Sequence, residues 1–348
     1  MEKDFHHHII YALAKIAGYD KKIAGTGETE AKIIAYASQY VDDNCDGAYT
    51  INEVDVKLPD KLPVKDQYFY PTLTQAVDIT ATKLETQKYV FMPFHFLPGH
   101  DYKAVKNISG ICNPHCTIRN SENANRLLDD SLASKSAYSL YRIGIALHTF
   151  ADTWAHERFT AFNEPWNKVL DWYKDFKALA PNIGHADVWH MPDQICKTWR
   201  DHRFDEDPVD NKKRALEAIE KIYAKLLEQR KGTPWKNIKG NLKTIIQLDK
   251  TIDDSDEKKV YDARKKKIEE FIGESISYEK DKWITEVIDF EVEETDEYDP
   301  FDSLSIRDKK RVARNIRLKD DFERFHWYKF QVAAKTQLSE VISITATV

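Results

Sequence analysis

Two histidines and an aspartate follow one another at four-residue intervals in the middle of the chain, as His148, Asp152 and His156. Each four-residue step turns a helix by only about 40° and advances it by about 6 Å, so in a helix the three side chains project from one side. Neutral imidazole and carboxylate groups are standard ligands of zinc. The spacing therefore predicts a metal site on a helix. A hydrogen-bonded His–Asp pair, with His156 at a helix end that favours a cation, is the alternative.

The neighbouring residues indicate that this side of the helix faces packed protein. Apolar residues recur at three- and four-residue intervals between Leu140 and Trp154, while Tyr141 and Ile145 continue the line of the His148 side chain. Imidazoles and a carboxylate buried without partners would be strongly unfavourable. A metal ion supplies the partner, and we favour it because other histidines also lie in apolar surroundings.

Those further histidines and acids occur in distinct contexts. His6 shares one face of a predicted first helix with Leu13, and His95 stands between bulky apolar residues and prolines. Asp42 and Asp43 close a predicted second helix, where acids oppose the helix dipole and indicate a charged partner, or a solvated turn. The candidate ligands in chain order are His6, Asp42 or Asp43, His95, His148, Asp152, His156, His185 and Asp193.

Composition limits the class of protein. The chain has 348 residues, 42% of them hydrophobic and 32% charged, with a net charge of −6. This balance does not favour bulk attraction to nucleic acid or to an anionic membrane. No run of apolar residues is long enough to span a membrane, no signal peptide is visible, and the four cysteines are too few for a disulfide scaffold. We therefore expect no transmembrane segment and a cytoplasmic location.

The elements that must position these residues are mostly helices. Periodicity predicts helices over 4–17, from Glu30 to Asp42 or Asp43, over two segments within 122–160, over 165–178, within 208–280 and over about 318–342. Residues 49–95 are expected to be extended or irregular, and 281–300 a loop or short strands. The expected fold class is mainly α. We divide it into a helical metal-binding catalytic core, 1–204, and a charged helical region, 205–348, that packs on this core.

Several short motifs, taken in order, carry a resemblance to known proteins. They are Asp-Phe-His at 4–6, Ser-Gln-Tyr-Val-Asp-Asp at 38–43, Pro-Phe-His-Phe-Leu-Pro-Gly at 93–99, Leu-His-Thr-Phe-Ala-Asp-Thr-Trp-Ala-His at 147–156, and Ile-Gly-His-Ala at 183–186 with Pro-Asp at 192–193. The set resembles a family of uncharacterised bacterial proteins, which we place as a distant branch of the zinc-dependent phospholipase C and single-strand-specific nuclease superfamily. The resemblance covers roughly residues 4–200 and a helix over 322–334.

The resemblance implies a helical core that holds two or three zinc ions. It assigns the first ion to His95, His148, Asp152 and either Asp42 or Asp43, with Asp42 preferred because it best matches the motif. It assigns the second ion to His6 with Asp152 as the bridge, and the third to His156 and His185, with Asp193 as a candidate for the last ligand. The chain departs from the superfamily at two points. No N-terminal tryptophan precedes His6, and Trp189 occupies the place of the last acid, which leaves Asp193, Asp187 or His190 as a substitute.

The chemistry that this resemblance implies is hydrolysis of a phosphoester, in a phospholipid or a nucleic acid, by metal-activated water. Asp152 would bridge two ions, and Asp43 would orient the attacking water. The competing hypothesis is a non-catalytic helical interaction protein with a structural metal or a His–Asp network. A zincin-type peptidase is disfavoured because no His-Glu-x-x-His motif is present.

Overall fold

The computed structural model describes residues 1–169, 181–205, 208–248, 256–296 and 309–346. In chain order its helices are α1 (Ile10–Ile16), α2 (Glu30–Asp43), α3 (Leu84–Thr86), α4 (Met92–Phe94), α5 (Glu122–Ala133), α6 (Ser139–Ala155), α7 (Asn211–Glu228), α8 (Trp235–Gln247), α9 (Glu257–Ile272), α10 (Lys282–Thr285) and α11 (His326–Thr345). Its strands are β1 (Ala48–Ile51), β2 (Val54–Lys57), β3 (Leu62–Val64), β4 (Gln67–Phe69), β5 (Thr198–Trp199), β6 (Val209–Asp210), β7 (Ile288–Asp296) and β8 (Lys309–Leu318). A π-helical stretch, Asp4–Ile9, leads directly into α1.

The prediction of a mainly α fold is wrong, because the structure is about 50% helix and 13% strand and is therefore mixed α/β. A four-stranded sheet has the order β1-β2-β8-β7, and β3–β4 and β5–β6 form two-stranded sheets. The strands β1 and β2 pair antiparallel, β2 meets β8 in parallel at Asp55 and Val312, and β7 and β8 pair antiparallel. This sheet joins segments that lie some 250 residues apart in sequence.

Charged side chains explain why the long hairpin was not recognised. The strand β7 alternates acids with other residues, and β8 is rich in arginine and lysine. The acids of β7 pair with the basic and polar side chains of β8, as in Glu293 with Arg314 and Glu291 with Asn315. Hydrophobic periodicity therefore gives a weak signal here. The expected start of the last helix at about residue 318 is also wrong, since Leu318 ends β8 and α11 begins at His326.

The helices α2 and α6 cross in close contact and carry much of the site. At Gly144 on α6, a Cβ atom would lie 2.4 Å from the carbonyl oxygen of Ile34 and 2.6 Å from the Cβ of Ala37 on α2. Only glycine permits this approach. The first turn of α2 is capped by Thr29, whose side chain accepts a hydrogen bond from the backbone N–H of Lys32. The C-terminal end of α2 thus places Asp42 and Asp43 beside α6.

Two apolar clusters fill the interior, and each contains residues from both sides of residue 204. The first includes Phe5, Leu147 and Ile222, and the second includes Ile145 and Phe330. Division of the chain at 204 stays a prediction. In the predicted helix 165–178, residues 165–167 form a 3₁₀ turn, and 170–178 lie outside the described residues. Within the described ranges, no helix has both the length and the apolar character needed to cross a membrane.

Candidate metal centre

Five segments bring the candidate ligands together. His6 comes from the π-helical stretch, Asp42 from the end of α2, and His95 directly follows α4. His148 and Asp152 lie on α6, and His156 immediately follows that helix. His185 and Asp193 lie on the loop around the 3₁₀ turn Ala186–Val188. The predicted first helix supplies His6 in a π-helical conformation, which differs from the α-helix that the periodicity indicates.

The Asp152 carboxylate lies at the centre of the cluster and is only 1% exposed. Its Oδ1 atom lies 3.1 Å from His6 Nε2 and 2.6 Å from the amino nitrogen of Met1. Its Oδ2 atom lies 3.2 Å from His148 Nε2 and 3.3 Å from His95 Nδ1. The two oxygen atoms of one carboxylate thus face two different sets of nitrogen atoms, which is the arrangement of a bridging ligand.

Backbone carbonyl groups fix the orientation of the imidazole rings. His148 donates its Nδ1–H to the carbonyl oxygen of Ser38 at 2.8 Å, and His156 donates its Nδ1–H to that of His95 at 2.8 Å. His95 donates its Nε2–H to the carbonyl oxygen of Thr74 at 2.8 Å. In a neutral ring the other nitrogen then carries a lone pair. Such backbone contacts commonly orient metal-binding histidines.

The facing nitrogen atoms of one pair of rings favour a shared cation. His95 Nδ1 and His148 Nε2 lie 3.2 Å apart. Since each ring already donates its N–H to a carbonyl oxygen, the two facing nitrogen atoms of the neutral rings both present lone pairs. These lone pairs repel one another unless a proton or a metal ion lies between them. In addition, the buried His6 Nδ1 has no hydrogen-bond partner among the described residues.

Among the described residues, three groups of side chains have donor atoms close enough to hold a metal ion. Within each group the ligand atoms lie within 4.8 Å of one another. The groups are His6, Asp42 and His148; His95, His148 and Asp152; and His156, His185 and Asp193. All eight residues that the sequence indicated as ligands belong to these groups. The chain therefore contains buried His/Asp clusters that can bind metal.

Asp193, Asp187 and His190 were the candidates to replace the missing last acid. Of these three residues, Asp193 contacts the other members of the third group. Its Oδ1 lies 2.9 Å from His156 Nε2, and its Oδ2 lies 3.3 Å from His185 Nε2. Asp187 instead accepts a hydrogen bond from the backbone N–H of Val169 at 2.8 Å. His190 lines the neighbouring cavity.

The two neighbouring acids at the end of α2 have different surroundings. Asp42 Oδ1 lies 3.6 Å from His148 Nε2 and 3.9 Å from His95 Nδ1, so Asp42 is the member of the cluster. Asp43 Oδ2 accepts hydrogen bonds from the Tyr278 hydroxyl at 2.6 Å and from Gln39 at 3.2 Å. The structure places Asp43 behind the site, in contact with Tyr278.

Electrostatic interactions favour the charged form of two acids of the cluster, Asp152 and Asp193, whose pKa values lie well below the usual range. Burial disfavours the Asp152 carboxylate, yet His156, the Met1 amino group and His148 outweigh this effect and hold its pKa well below the usual range. Burial also opposes the protonated form of His156, but Asp152 and Asp193 raise the pKa of this ring. Burial lowers the pKa of His185 to about 4. A metal ion that binds through the protonated His156 must therefore displace a proton from this ring.

With the geometry established, the chain can be compared with known proteins. A family of unknown function, DUF6765, matches residues 1–345. The chain belongs to this family. Searches of curated proteins and of solved structures found no match to it. The resemblance of this DUF6765 protein to the phospholipase C and nuclease superfamily thus stays a prediction from its ordered motifs.

The sequence reasoning missed the amino group of Met1 as a member of the cluster. Beyond its contact with Asp152, this nitrogen lies 3.1 Å from Asp193 Oδ1. Burial disfavours its charge, but Asp152, Asp193 and Asp42 raise its pKa to about 11. The superfamily that the chain resembles uses the amino group of an N-terminal tryptophan on the ion of the first histidine, and the absence of this tryptophan led us to expect that ion to be weak, absent or held otherwise. What could have indicated this role is that Met1 lies only a few residues before His6, which brings its main chain close to that histidine when the segment is helical.

The cluster of this DUF6765 protein opens into a cavity of about 690 Å³. Asp42, His95 and Asp152 of the cluster line this cavity, and Lys3, Glu2 and Tyr261 contribute further polar groups to its wall. The rest of the wall is mainly apolar, with Val77, Ala81, Phe91, Phe96, Pro181 and Ile183 among the lining residues. A substrate with an anionic or polar group and an apolar portion fits this division.

Proposed function

We propose that this protein is a zinc-dependent hydrolase of phosphoesters, acting on the phosphodiester bond of a phospholipid or a nucleic acid. The observation that carries the proposal is the Asp152 carboxylate, whose two oxygen atoms face His6 on one side and His95 and His148 on the other. A carboxylate in this position suits two neighbouring cations. Nitrogen and oxygen donors without any cysteine, together with fixed imidazole tautomers, suit zinc.

The donor groups would be divided among the ions as follows. His95, His148 and Asp42 with one oxygen of Asp152 would hold the first, His6 with the other oxygen of Asp152 the second, and His156, His185 and Asp193 the third. When bound, zinc ions lower the pKa of water towards neutrality and offset negative charge on phosphate oxygen atoms.

The protein's own residues supply position and charge. The carbonyl groups of Ser38, Thr74 and His95 hold three imidazole rings in place. Gln39 donates to both Asp42 and Asp43, and Tyr278 fixes Asp43, so this row of contacts positions the Asp42 carboxylate. We therefore assign Asp43 a positioning role, in place of the water-orienting role expected from the resemblance. Lys3 in the cavity wall supplies a cation for a phosphate group.

The test is metal analysis together with activity. Protein purified without chelator is expected to carry two or three zinc ions per chain, and to hydrolyse at least one of a single-stranded nucleic acid, phosphatidylcholine and a small phosphodiester. Asp152→Asn should lose zinc and reduce kcat on the order of 10²- to 10³-fold, because it removes the shared ligand. Asp130→Asn, the same change on the exposed face of α5, is the matched control and should change neither.

Two results would contradict the proposal. One is a chain that holds a single metal ion or none. The other is a wild-type protein that cleaves none of the three substrates, together with an Asp152→Asn variant that changes only the stability of the fold. Either result would favour the interaction protein with a structural metal or a His–Asp network.

A further inference from the structure

Large apolar side chains are exposed in two segments that also contribute lining residues to the cavity. The first segment carries Val77, Ile79 and Leu84, and the second carries Trp189 and Met191. We refer to these five residues as the collar. Ile79 is 83% exposed, Trp189 73% and Leu84 62%. Single exposed apolar residues need no explanation, but a group beside one cavity marks an interaction site.

The collar continues the apolar wall of the cavity. Val77 belongs to both, Ala81 lines the cavity between Ile79 and Leu84, and Ala186 and His190 line it beside Trp189. The collar segments thus adjoin the apolar part of the wall of the cavity that Asp152 also lines. An apolar group attached to a phosphoester could lie along this wall while its polar end reaches the cluster.

The conformation of Trp189 holds its indole outward. Its backbone has a φ of 51°, a left-handed value that is rare for a bulky residue and costs energy. The carbonyl oxygen of the same residue accepts a hydrogen bond from His185 Nδ1 at 2.6 Å. The contact that orients a member of the metal cluster therefore also fixes the position of an exposed indole. Indole rings are favoured where apolar and aqueous regions meet.

The charges of the collar segments indicate what kind of surface it meets. Residues 77–84 carry Asp78 and Lys83, and residues 186–191 carry Asp187 and His190. Asp78 faces Lys57 at 3.6 Å and caps the 3₁₀ turn that follows it, and Asp187 binds a backbone N–H. The segments have no excess of cations, which a nucleic acid or an anionic lipid surface would require.

We propose that the collar docks on a layer of zwitterionic phospholipid and that the cavity receives a lipid headgroup from this layer. Apolar side chains of the collar enter the interfacial region, with Trp189 at the headgroup level, as in interfacial proteins. A preference for lipid phosphodiesters over nucleic acid would follow from this docking, and that preference rests on the proposed function. Docking on the lipid layer does not depend on the proposed function.

The test is flotation with phosphatidylcholine vesicles in the presence of a chelator, so that zinc plays no part. Wild-type protein should float with the vesicles. The double variant Ile79→Ser/Leu84→Ser should reduce the partition coefficient at least tenfold, because it removes two apolar side chains from the interface. Trp189→Ala should also reduce it. Ile108→Ser/Ile111→Ser is the matched control, since Ile108 is 67% exposed in a loop outside the cavity lining, and should bind as the wild type does.

Activity on a soluble phosphodiester separates this inference from the proposed function. The variant Ile79→Ser/Leu84→Ser should retain the wild-type kcat/KM on bis(p-nitrophenyl) phosphate and lose activity on vesicles. Vesicle binding through the collar in a protein that cleaves no phosphoester would leave the docking intact and refute the hydrolase. Cleavage of the soluble ester without any vesicle binding would support the hydrolase and refute the docking proposal.

Three other outcomes would overturn the docking proposal. Equal loss of binding in the Ile108→Ser/Ile111→Ser control would show that the collar has no special role. Binding only to vesicles with phosphatidylglycerol, or to single-stranded DNA, would indicate an electrostatic surface. A wild-type dimer that Ile79→Ser/Leu84→Ser converts to a monomer, measured by sedimentation, would identify the collar as an interface between copies of the chain.

Discussion

At the scale of single residues, the surroundings of two adjacent carboxylates determine what each can do. Asp42 faces the imidazoles of His148 and His95, whereas Asp43 accepts a hydrogen bond from Tyr278. Burial raises the pKa of Asp42, so this carboxyl group gains from a cation that stabilises its charged form. The two residues have similar chemistry and similar positions in sequence, and differ in what lies next to them.

A pair of identical substitutions tests this difference. Asp42→Asn should remove a metal ligand and lower zinc affinity about 10- to 100-fold or more, as loss of a ligand or its supporting contact does. Asp43→Asn should weaken zinc binding much less than Asp42→Asn does, because it removes a positioning contact and not a ligand, and should lower the free energy of unfolding by about 1–2 kcal/mol, because it weakens a partly buried hydrogen bond. Competition with a zinc chelator and urea unfolding measure the two effects. Zinc loss in Asp43→Asn alone would reverse our assignment.

His8 gives a prediction for acid stability. Burial lowers the pKa of His8 to about 3, while its Nε2 lies 2.6 Å from the Tyr261 hydroxyl. In the unfolded chain the pKa is near 6.5, so between pH 6 and 4 unfolding takes up a proton at this residue. As the pH falls from 6 to 4, the free energy of unfolding of the metal-free protein should therefore decrease by about 1.4 kcal/mol for each pH unit because of His8 alone.

The comparison variant is His8→Asn, which keeps a polar side chain and cannot titrate. Its unfolding free energy, from urea unfolding at several pH values, should fall less steeply between pH 6 and 4 than that of the wild type. Parallel slopes in the two proteins would contradict the assignment. Buried histidines that do not contact His8, such as His185, act equally in both proteins and cancel in the difference.

The ligands could be predicted from sequence because their positions follow local rules. His148 and Asp152 are four residues apart on a helix, and His95 lies within an apolar segment between prolines. The amino group of Met1 follows no side-chain pattern, and was missed for that reason. The role of Tyr278 was missed because nothing local links it to Asp43, which lies 235 residues away.

At the scale of elements, the crossing of α2 and α6 sets the distance between the acids and imidazoles that they carry. The close contact at Gly144 and the hydrogen bond from His148 to Ser38 both lie at this crossing. The helices themselves were predictable, since α2 runs from Glu30 to Asp43 and the central region contains α5 and α6. The pairing of β2 with β8 was not, because parallel strands so far apart in sequence leave no local signal.

Gly144→Ala should separate the two helices. The added Cβ would lie 2.4 Å from a backbone oxygen of α2, so we expect a loss of about 1–3 kcal/mol in unfolding free energy, and weaker zinc binding through the displaced Asp42. Gly240→Ala on α8 is the matched control because nothing lies within 4 Å of its added Cβ. This variant should be more stable by about 0.5–1 kcal/mol. Urea unfolding and zinc titration measure both, and equal stability of the two variants would refute the crossing as the cause.

At the scale of the whole molecule, the far end of the chain supports the site. Arg264 of α9 forms a buried ion pair with Asp4, two residues before His6, and Tyr261 of the same helix contacts His8. Tyr278 holds Asp43. Three contacts from residues 261–278 thus secure the segments that carry His6 and Asp42. The site belongs to the complete fold, although its candidate ligands all precede residue 194.

Zinc should accordingly stabilise the entire chain. A ligand that binds only the folded state adds about 2.7 kcal/mol to the free energy of unfolding at 100 times its Kd, for each site. Urea unfolding with zinc and with chelator should show a single transition that moves to higher urea with the metal. In Asp152→Asn the shift should be smaller. A zinc-independent transition in the wild type would contradict a metal site of this kind.

The ion pair between Asp4 and Arg264 also has a consequence for how the protein is made. Residue 4 emerges from the ribosome long before residue 264. The ion pair that supports the segment of His6 can therefore form only after about three quarters of the polypeptide has been synthesised. Any metal ion that this cluster binds would then be loaded late in the biogenesis of the protein. A pause in translation before α9 would prolong the interval in which the cluster is incomplete and a different cation could bind to its histidines.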